Sequence, residues 1–272
     1  MKDSVYDKGL LNGQLVDIET IYDLLNKERE MVYEVIRIID GKPLFFEEHI
    51  RRLNNSLKLI GLRTALSSQH IKGVIQYLLE HFNEKNINVK IAYYENGEAN
   101  LIVYVLRSHY PAVKKYQEGY YALLMYEERE KPNAKILDNQ LRSLIKEILN
   151  DENADECIFV SEKGEIHEGS RSNLFFVKGS MIITAPDQGV LLGTTRSKII
   201  EICGVKRIHL QRRVIRLEEL TFFDAAFVTG TSIGVMPVNN IASIPYASSS
   251  NRMVERMMEA YEMEVKRYIA TH

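Results

Sequence analysis

VYEVIRIIDGKPLFFEEHIRRL, residues 32–53, changes its periodicity part-way, and that change sets the class of fold. Its first half, with Met31 before it, alternates apolar and polar residues up to Asp40-Gly41, the pattern of a strand that ends in a tight turn. Beyond the turn the apolar positions Ile50, Leu53, Leu57 and Ile60 recur at steps of three and four, which predicts an amphipathic helix stopped at Gly61. A second helix is expected after a Ser67 or Ser68 cap, burying Ile71, Val74, Ile75, Leu78 and Phe82. The period then returns to two. Residues 88–94 and 99–108 read as strands around Asn96-Gly97, a pair suited to positive φ.

Alternation lapses in SHYPAVKKYQ, residues 108–117, where Pro111 argues against regular structure, so a domain boundary is expected there. It divides the chain into residues 1–112 and 113–272. In the second part, strands are expected at 119–128, around Lys163-Gly164, around Lys178-Gly179 and at 225–229, with helices at 139–149, 195–203 and 252–268. Helices and strands mix along the whole length, which predicts an α/β (α+β) architecture. Met253, Met257, Met258 and Met263 form a helix-spaced stripe expected to fill core.

With 272 residues and a 45% hydrophobic share, the chain can bury two modest cores. Its 35 basic and 37 acidic side chains leave a formal charge of -2 with no long run of one sign, so neither a nucleic-acid footprint nor a membrane-binding basic patch is indicated. No apolar run has the length of a membrane span, and residues 1–20 lack the apolar centre of a signal peptide, which leads to a cytoplasmic expectation. Cys157 and Cys203 have no metal-ligand spacing, so no metal is expected and each reads as a small buried hydrophobe.

Five segments then occur in one order: residues 32–53, KILDNQLRSLIKEIL (135–149), HEGSRSNLFFVKG (167–179), VLLGTTRSKII (190–200) and FVTGTSIGVMPV (227–238). In this order and spacing they resemble the class IV aminotransferases, the fold-type IV pyridoxal-phosphate family of branched-chain and D-amino-acid aminotransferases and aminodeoxychorismate lyases. The resemblance implies a small N-terminal α/β domain, a larger C-terminal barrel-like domain that binds pyridoxal 5′-phosphate, and a homodimer.

It also implies roles. Lys135 would carry the cofactor as a Schiff base and shuttle the substrate α-proton. Nothing local separates Lys135 from Lys131 or Lys146; the resemblance does. Glu168 would sit near the pyridine nitrogen and keep it protonated, with Ser172 and Asn173 lining the same pocket. The phosphate would be held by Arg52, by the turn Gly193-Thr194-Thr195 at a helix start, and by Thr231. Leu191 would pack on the ring, Tyr33 would lie near the substrate, and His49 would be structural.

Two departures bear on subtype. The approach to the first strand, residues 22–31, has no glycine where the family commonly has one. Gln140 stands where branched-chain enzymes commonly have a tyrosine. Lys90, with Arg107 a weaker candidate, is expected to meet the substrate carboxylate. The implied activity is transfer of an amino group between an amino acid, branched-chain-like or D, and a 2-oxo acid. The alternatives are pyruvate elimination from aminodeoxychorismate and a catalytically silent cofactor-binding protein.

Overall fold

The computed structural model describes residues 3–27, 30–108 and 110–272. Glu28 and Arg29, in the glycine-free approach, and His109, in the expected boundary tract, lie outside the described residues. The chain forms two compact units: Met1–His109 with Ala134–Gln140 and Arg267–His272, and Tyr110–Asn133 with Leu141–Lys266. A single cut after residue 112 therefore omits two later returns to the first unit, and Lys135 lies in one of them.

The first unit is a six-stranded sheet. In chain order it contains β1 (Lys8–Leu11), β2 (Gln14–Asp17), α1 (Ile18–Leu25), β3 (Val32–Ile39), β4 (Lys42–Pro43), α2 (Phe46–Leu59), α3 (Ser68–Phe82), β5 (Ile87–Asn96) and β6 (Glu98–Leu106). The strand order is β2-β1-β6-β5-β3-β4. Successive side chains of a strand point to opposite faces. Val32, Ile36 and Ile38 accordingly pack under α2 and α3 with Ile50, Leu53, Leu57, Ile71, Ile75 and Leu78. Tyr33 lies in the core on the other face with Ile21, Tyr22, Ala92 and Tyr104. The N-terminal hairpin and α1 carry no expectation from the pattern, since strands of four residues are too short to establish a period.

The second unit holds α4 (Val113–Glu118), β7 (Tyr120–Tyr126), α5 (Asn139–Asp151, its first two residues belonging to the first unit), β8 (Glu156–Val160), β9 (Glu165–Gly169), β10 (Asn173–Lys178), β11 (Met181–Thr184), α6 (Thr194–Val205), β12 (Leu210–Arg212), β13 (Ile215–Arg216), β14 (Ala225–Gly230), β15 (Gly234–Ile241), β16 (Ile244–Pro245) and α7 (Arg252–Thr271, ending in the first unit). Nine of its strands run in the order β12-β11-β10-β14-β15-β7-β8-β9-β13, with β16 paired to β15. One core cluster lies around Ile158, Leu174, Phe176, Ala226, Val228, Met236 and Val238, and another packs Cys157 and Phe159 of β8 against Ile145 and Leu149 of α5.

Two expectations are corrected. Helix α4 forms two residues after Pro111, where no regular structure was expected; it buries no residue, so no apolar stripe could reveal it, and a Lys114–Glu118 pair at 2.9 Å supports it. In α7 the buried stripe is Val254, Met257, Ala260 and Tyr261, whereas Met263 is 67% exposed. Among the described residues no helix is long and apolar enough to cross a membrane.

Candidate active site

Lys135 follows Ala134 on a segment that lies along the outer edge of β3. The Tyr33 N–H donates to the Lys135 carbonyl at 3.0 Å, the Leu137 N–H donates to the Met31 carbonyl at 2.8 Å, and Val32 and Ile136 form an antiparallel bridge. On the other side the Lys135 N–H donates to Ser56 Oγ at 3.0 Å, and that hydroxyl donates to the Arg52 carbonyl at 2.9 Å. The main chain of Lys135 is thus held by a strand and a helix at once. Its Nζ lies 4.6 Å from the centre of the Tyr33 ring, a cation–π distance. Lys131 and Lys146 are exposed, and Lys135 is half-buried.

Beneath the same strand, Glu34 is fully buried and bonds α2: Arg52 Nε donates to Oε1 at 2.6 Å, Arg52 Nη2 to Oε2 at 2.7 Å, and His49 Nδ1 to Oε2 at 2.8 Å. Burial raises the carboxyl pKa, but the Arg52 charge and hydrogen bonds, helped by His49, outweigh it and hold Glu34 well below the usual carboxylate range. Burial lowers the His49 pKa against the pull of Glu34, so the imidazole is neutral and gives its Nδ1 proton to the carboxylate. Arg51, one residue from Arg52, is exposed.

Lys90 lies on the Tyr33 side of the sheet and is 3% exposed. Its Nζ is 3.4 Å from Asp3 Oδ2 and 5.9 and 5.6 Å from the Tyr33 and Tyr104 rings, while the Tyr104 hydroxyl donates to Asp3 Oδ1 at 2.8 Å. Arg107 and Gln140 are exposed.

In the second unit Glu168 occupies the next-to-last position of β9 and is buried. Its Oε1 accepts from Arg129 Nε at 3.1 Å; its Oε2 accepts from Asn173 Nδ2 and from the Leu191 N–H, both at 3.0 Å. Asn173 Nδ2 also donates to the Leu191 carbonyl at 2.8 Å, so the segment before α6 is pinned to the acid. The Ser172 hydroxyl donates to Glu156 at 2.7 Å and is used inside the protein.

Helix α6 starts with no side-chain cap from Gly193, leaving the N–H groups of its first turn without intrahelical acceptors. The Thr194 hydroxyl in that turn is buried with no hydrogen-bond partner, and Thr195 Oγ1 lies 3.5 Å from the Tyr261 hydroxyl. Thr231 belongs to the three-residue turn between β14 and β15, and β14 packs against α6. Within this unit α6 and the strand that leads into the Thr231 turn are therefore neighbours. An uncapped helix start carrying a buried, unpartnered hydroxyl is a site prepared for an anionic oxygen. Among the described residues no cluster of His, Cys, Asp and Glu is suited to a metal ion.

Sequence reasoning missed Glu34, Ser56, Arg129 and Glu156. Ser56 had a signal, a polar residue one turn beyond Arg52 within an apolar stripe. The others are charged residues whose partners are distant in sequence.

A family model for amino-transferase class IV matches residues 31–241. The chain belongs to the class IV aminotransferases. This aminotransferase is 27% identical over 262 residues to the D-alanine aminotransferase of Bacillus licheniformis, covering 86% of this chain and 88% of that one. It is 26% identical over 259 residues to the aminodeoxychorismate lyase of Bacillus subtilis (strain 168), covering 88% and 86%. The branched-chain amino acid aminotransferase of Thermoproteus uzoniensis, solved with norvaline, has the same fold, at a TM-score of 0.81 and 23% identity over 97% of this chain and 97% of that one. Class IV aminotransferases are enzymes dependent on pyridoxal phosphate. The α6 start with its unpartnered Thr194 hydroxyl and the lysine fixed at residue 135 fit a phosphate and an aldehyde respectively.

Proposed function

We propose that this aminotransferase moves an amino group between an amino acid and a 2-oxo acid, with Lys135 as the covalent attachment point of pyridoxal phosphate. The supporting observation is that Lys135 is half-buried and has its main chain fixed by both Tyr33 and Ser56, with Nζ over the Tyr33 ring. When bound, the cofactor supplies an electron sink for bond breaking at the substrate Cα. Nζ of Lys135 takes the Cα proton and returns it. Tyr33 limits where that amine can swing. The Glu168 carboxylate, fixed by Arg129, Asn173 and the Leu191 N–H, holds a proton at the pyridine nitrogen. Arg52, the first turn of α6 with Thr194 and Thr195, and Thr231 bind the phosphate; Leu191 packs on the ring. Ser172 supports this arrangement from behind through Glu156, and Lys90 receives a substrate carboxylate. A homodimer accompanies this reading.

A second reading is elimination of pyruvate from aminodeoxychorismate, favoured by near-equal similarity to the Bacillus subtilis lyase. The test is to load the purified protein with pyridoxal phosphate and mix it with single L- and D-amino acids, following the visible cofactor band. At least one donor is expected to bleach the band and a 2-oxo acid to restore it, with Lys135→Ala giving neither change. Pyruvate formed from aminodeoxychorismate without any acceptor would select the lyase. No response to either class of compound would refute both readings.

A further inference from the structure

Glu156, the first residue of β8, is a buried carboxylate that forms no ion pair among the described residues. Four donors satisfy it instead. Oε1 accepts from the Cys157 N–H at 3.0 Å, the Ser170 N–H at 3.1 Å and the Ser170 hydroxyl at 2.5 Å; Oε2 accepts from the Ser172 hydroxyl at 2.7 Å. Burying a carboxyl group costs its hydration, and an apolar side chain starting this strand would avoid the cost. What the carboxylate adds is geometry. Its two oxygens reach two alternate residues of one bend, residues 170–172, which connects β9 to β10 and so lies between Glu168 and Asn173.

The bend is wrapped closely around this acid. A Cβ at Gly169 would collide with Ser172 Oγ and come within 3.0 Å of Glu156 Cδ and Oε2. Ser170 is held from two directions: its N–H and hydroxyl go to Glu156, and its carbonyl accepts from Arg129 Nη2 at 2.9 Å. The same arginine donates through Nε to Glu168. A continuous chain of bonds therefore runs from Glu156 through Ser170 and Arg129 to Glu168, and a single bond joins Glu156 to Ser172, the residue before Asn173.

We propose that Glu156 is a positioning residue: its carboxylate fixes the bend that aims Glu168 and Asn173, without itself touching cofactor or substrate. The consequence for catalysis rests on the role assigned to Glu168 under the proposed function; the consequence for the bend does not.

Two readouts separate the two. Amide hydrogen exchange of the peptide covering residues 168–173 needs no cofactor. Glu156→Ala is expected to raise exchange there by about tenfold or more, the equivalent of about 1.4 kcal/mol of lost protection. Glu156→Gln, which keeps one oxygen for the three donors on Oε1 and can donate to Ser172 Oγ, is expected to restore most of it. In protein loaded with pyridoxal phosphate, Glu156→Ala should shift the visible band in the same direction as Glu168→Gln, and the double variant should shift it no further than Glu168→Gln alone. Unchanged exchange in Glu156→Ala, or additive shifts in the double variant, would overturn the proposal. Should Glu156→Ala fail to fold, the Ser170→Ala, Ser172→Ala double variant replaces it, with the same rise in exchange expected and an unchanged rate counting against the proposal. A wild-type protein without any visible band would refute the role of Glu168, while the exchange comparison would still decide whether Glu156 fixes the bend.

Discussion

Glu34 carries its charge where water does not reach, and everything that keeps it charged comes from one face of α2. Arg52 supplies two N–H bonds and His49 a third, so the acid and the two donors form one unit at the side of β3 opposite Tyr33. Because the folded-state pKa of Glu34 is depressed, its contribution to stability is present above the usual carboxylate value of 4.5 and is lost as pH falls through the folded value. His49, also depressed, adds a loss that begins as pH falls below 6.5. Glu34→Gln should therefore be less stable than wild type at neutral pH, by about 1–3 kcal/mol, because the amide keeps only one acceptor oxygen for the donors on Arg52 and His49. The deficit should shrink below pH 4.5, which thermal melts across pH would show; a constant deficit would contradict the assignment. None of this was legible in the sequence, where His49 was expected to be structural and Glu34 had no role. The same holds for Lys135, selected by resemblance alone, because its distinguishing contact to Ser56 joins residues 79 apart in sequence. A string of residues displays local spacing and hides such pairings.

Elements with several turns or a full alternating face were legible: β3, α2, α3, β5, β6, α5 and α7 follow their apolar periods. The pieces that escaped are β1, β2, β12, β13, β15, β16, α1 and α4. All but the eight-residue β15 have two to four residues per strand, or eight and six residues per helix, and so hold too little of a period to register. The start of α6 was read as an anion-binding turn, and the structure adds why it needs glycine. Gly193 has φ of −61°, open to any residue, but a Cβ there would collide with Asn173 Oδ1. Space, not backbone conformation, imposes the glycine. Gly193→Ala should displace the Asn173 side chain from Glu168 and Leu191, costing about 1–3 kcal/mol by overpacking. A melting temperature equal to that of wild type would show instead that Asn173 can yield without loss.

At the scale of the whole molecule, each unit has its own sheet and core and is assigned its own share of the chemistry. Under the proposed function the first would contribute Lys135, Tyr33, Arg52 and Lys90, and the second Glu168, Asn173 and the α6 start. The return of Ala134–Gln140 to the first unit is the feature a linear reading could not supply, since nothing in KPNAKILDNQ announces that the chain goes back to the edge of β3. The family match over residues 31–241 covers both units, so the five ordered segments were the legible part of the function and their folding partners were not. The most direct test is chemical. The protein saturated with pyridoxal phosphate is reduced with borohydride, digested and mapped by mass spectrometry, and a pyridoxyl group is predicted on the peptide containing Lys135. A pyridoxyl group on another lysine, or on none, would contradict the account.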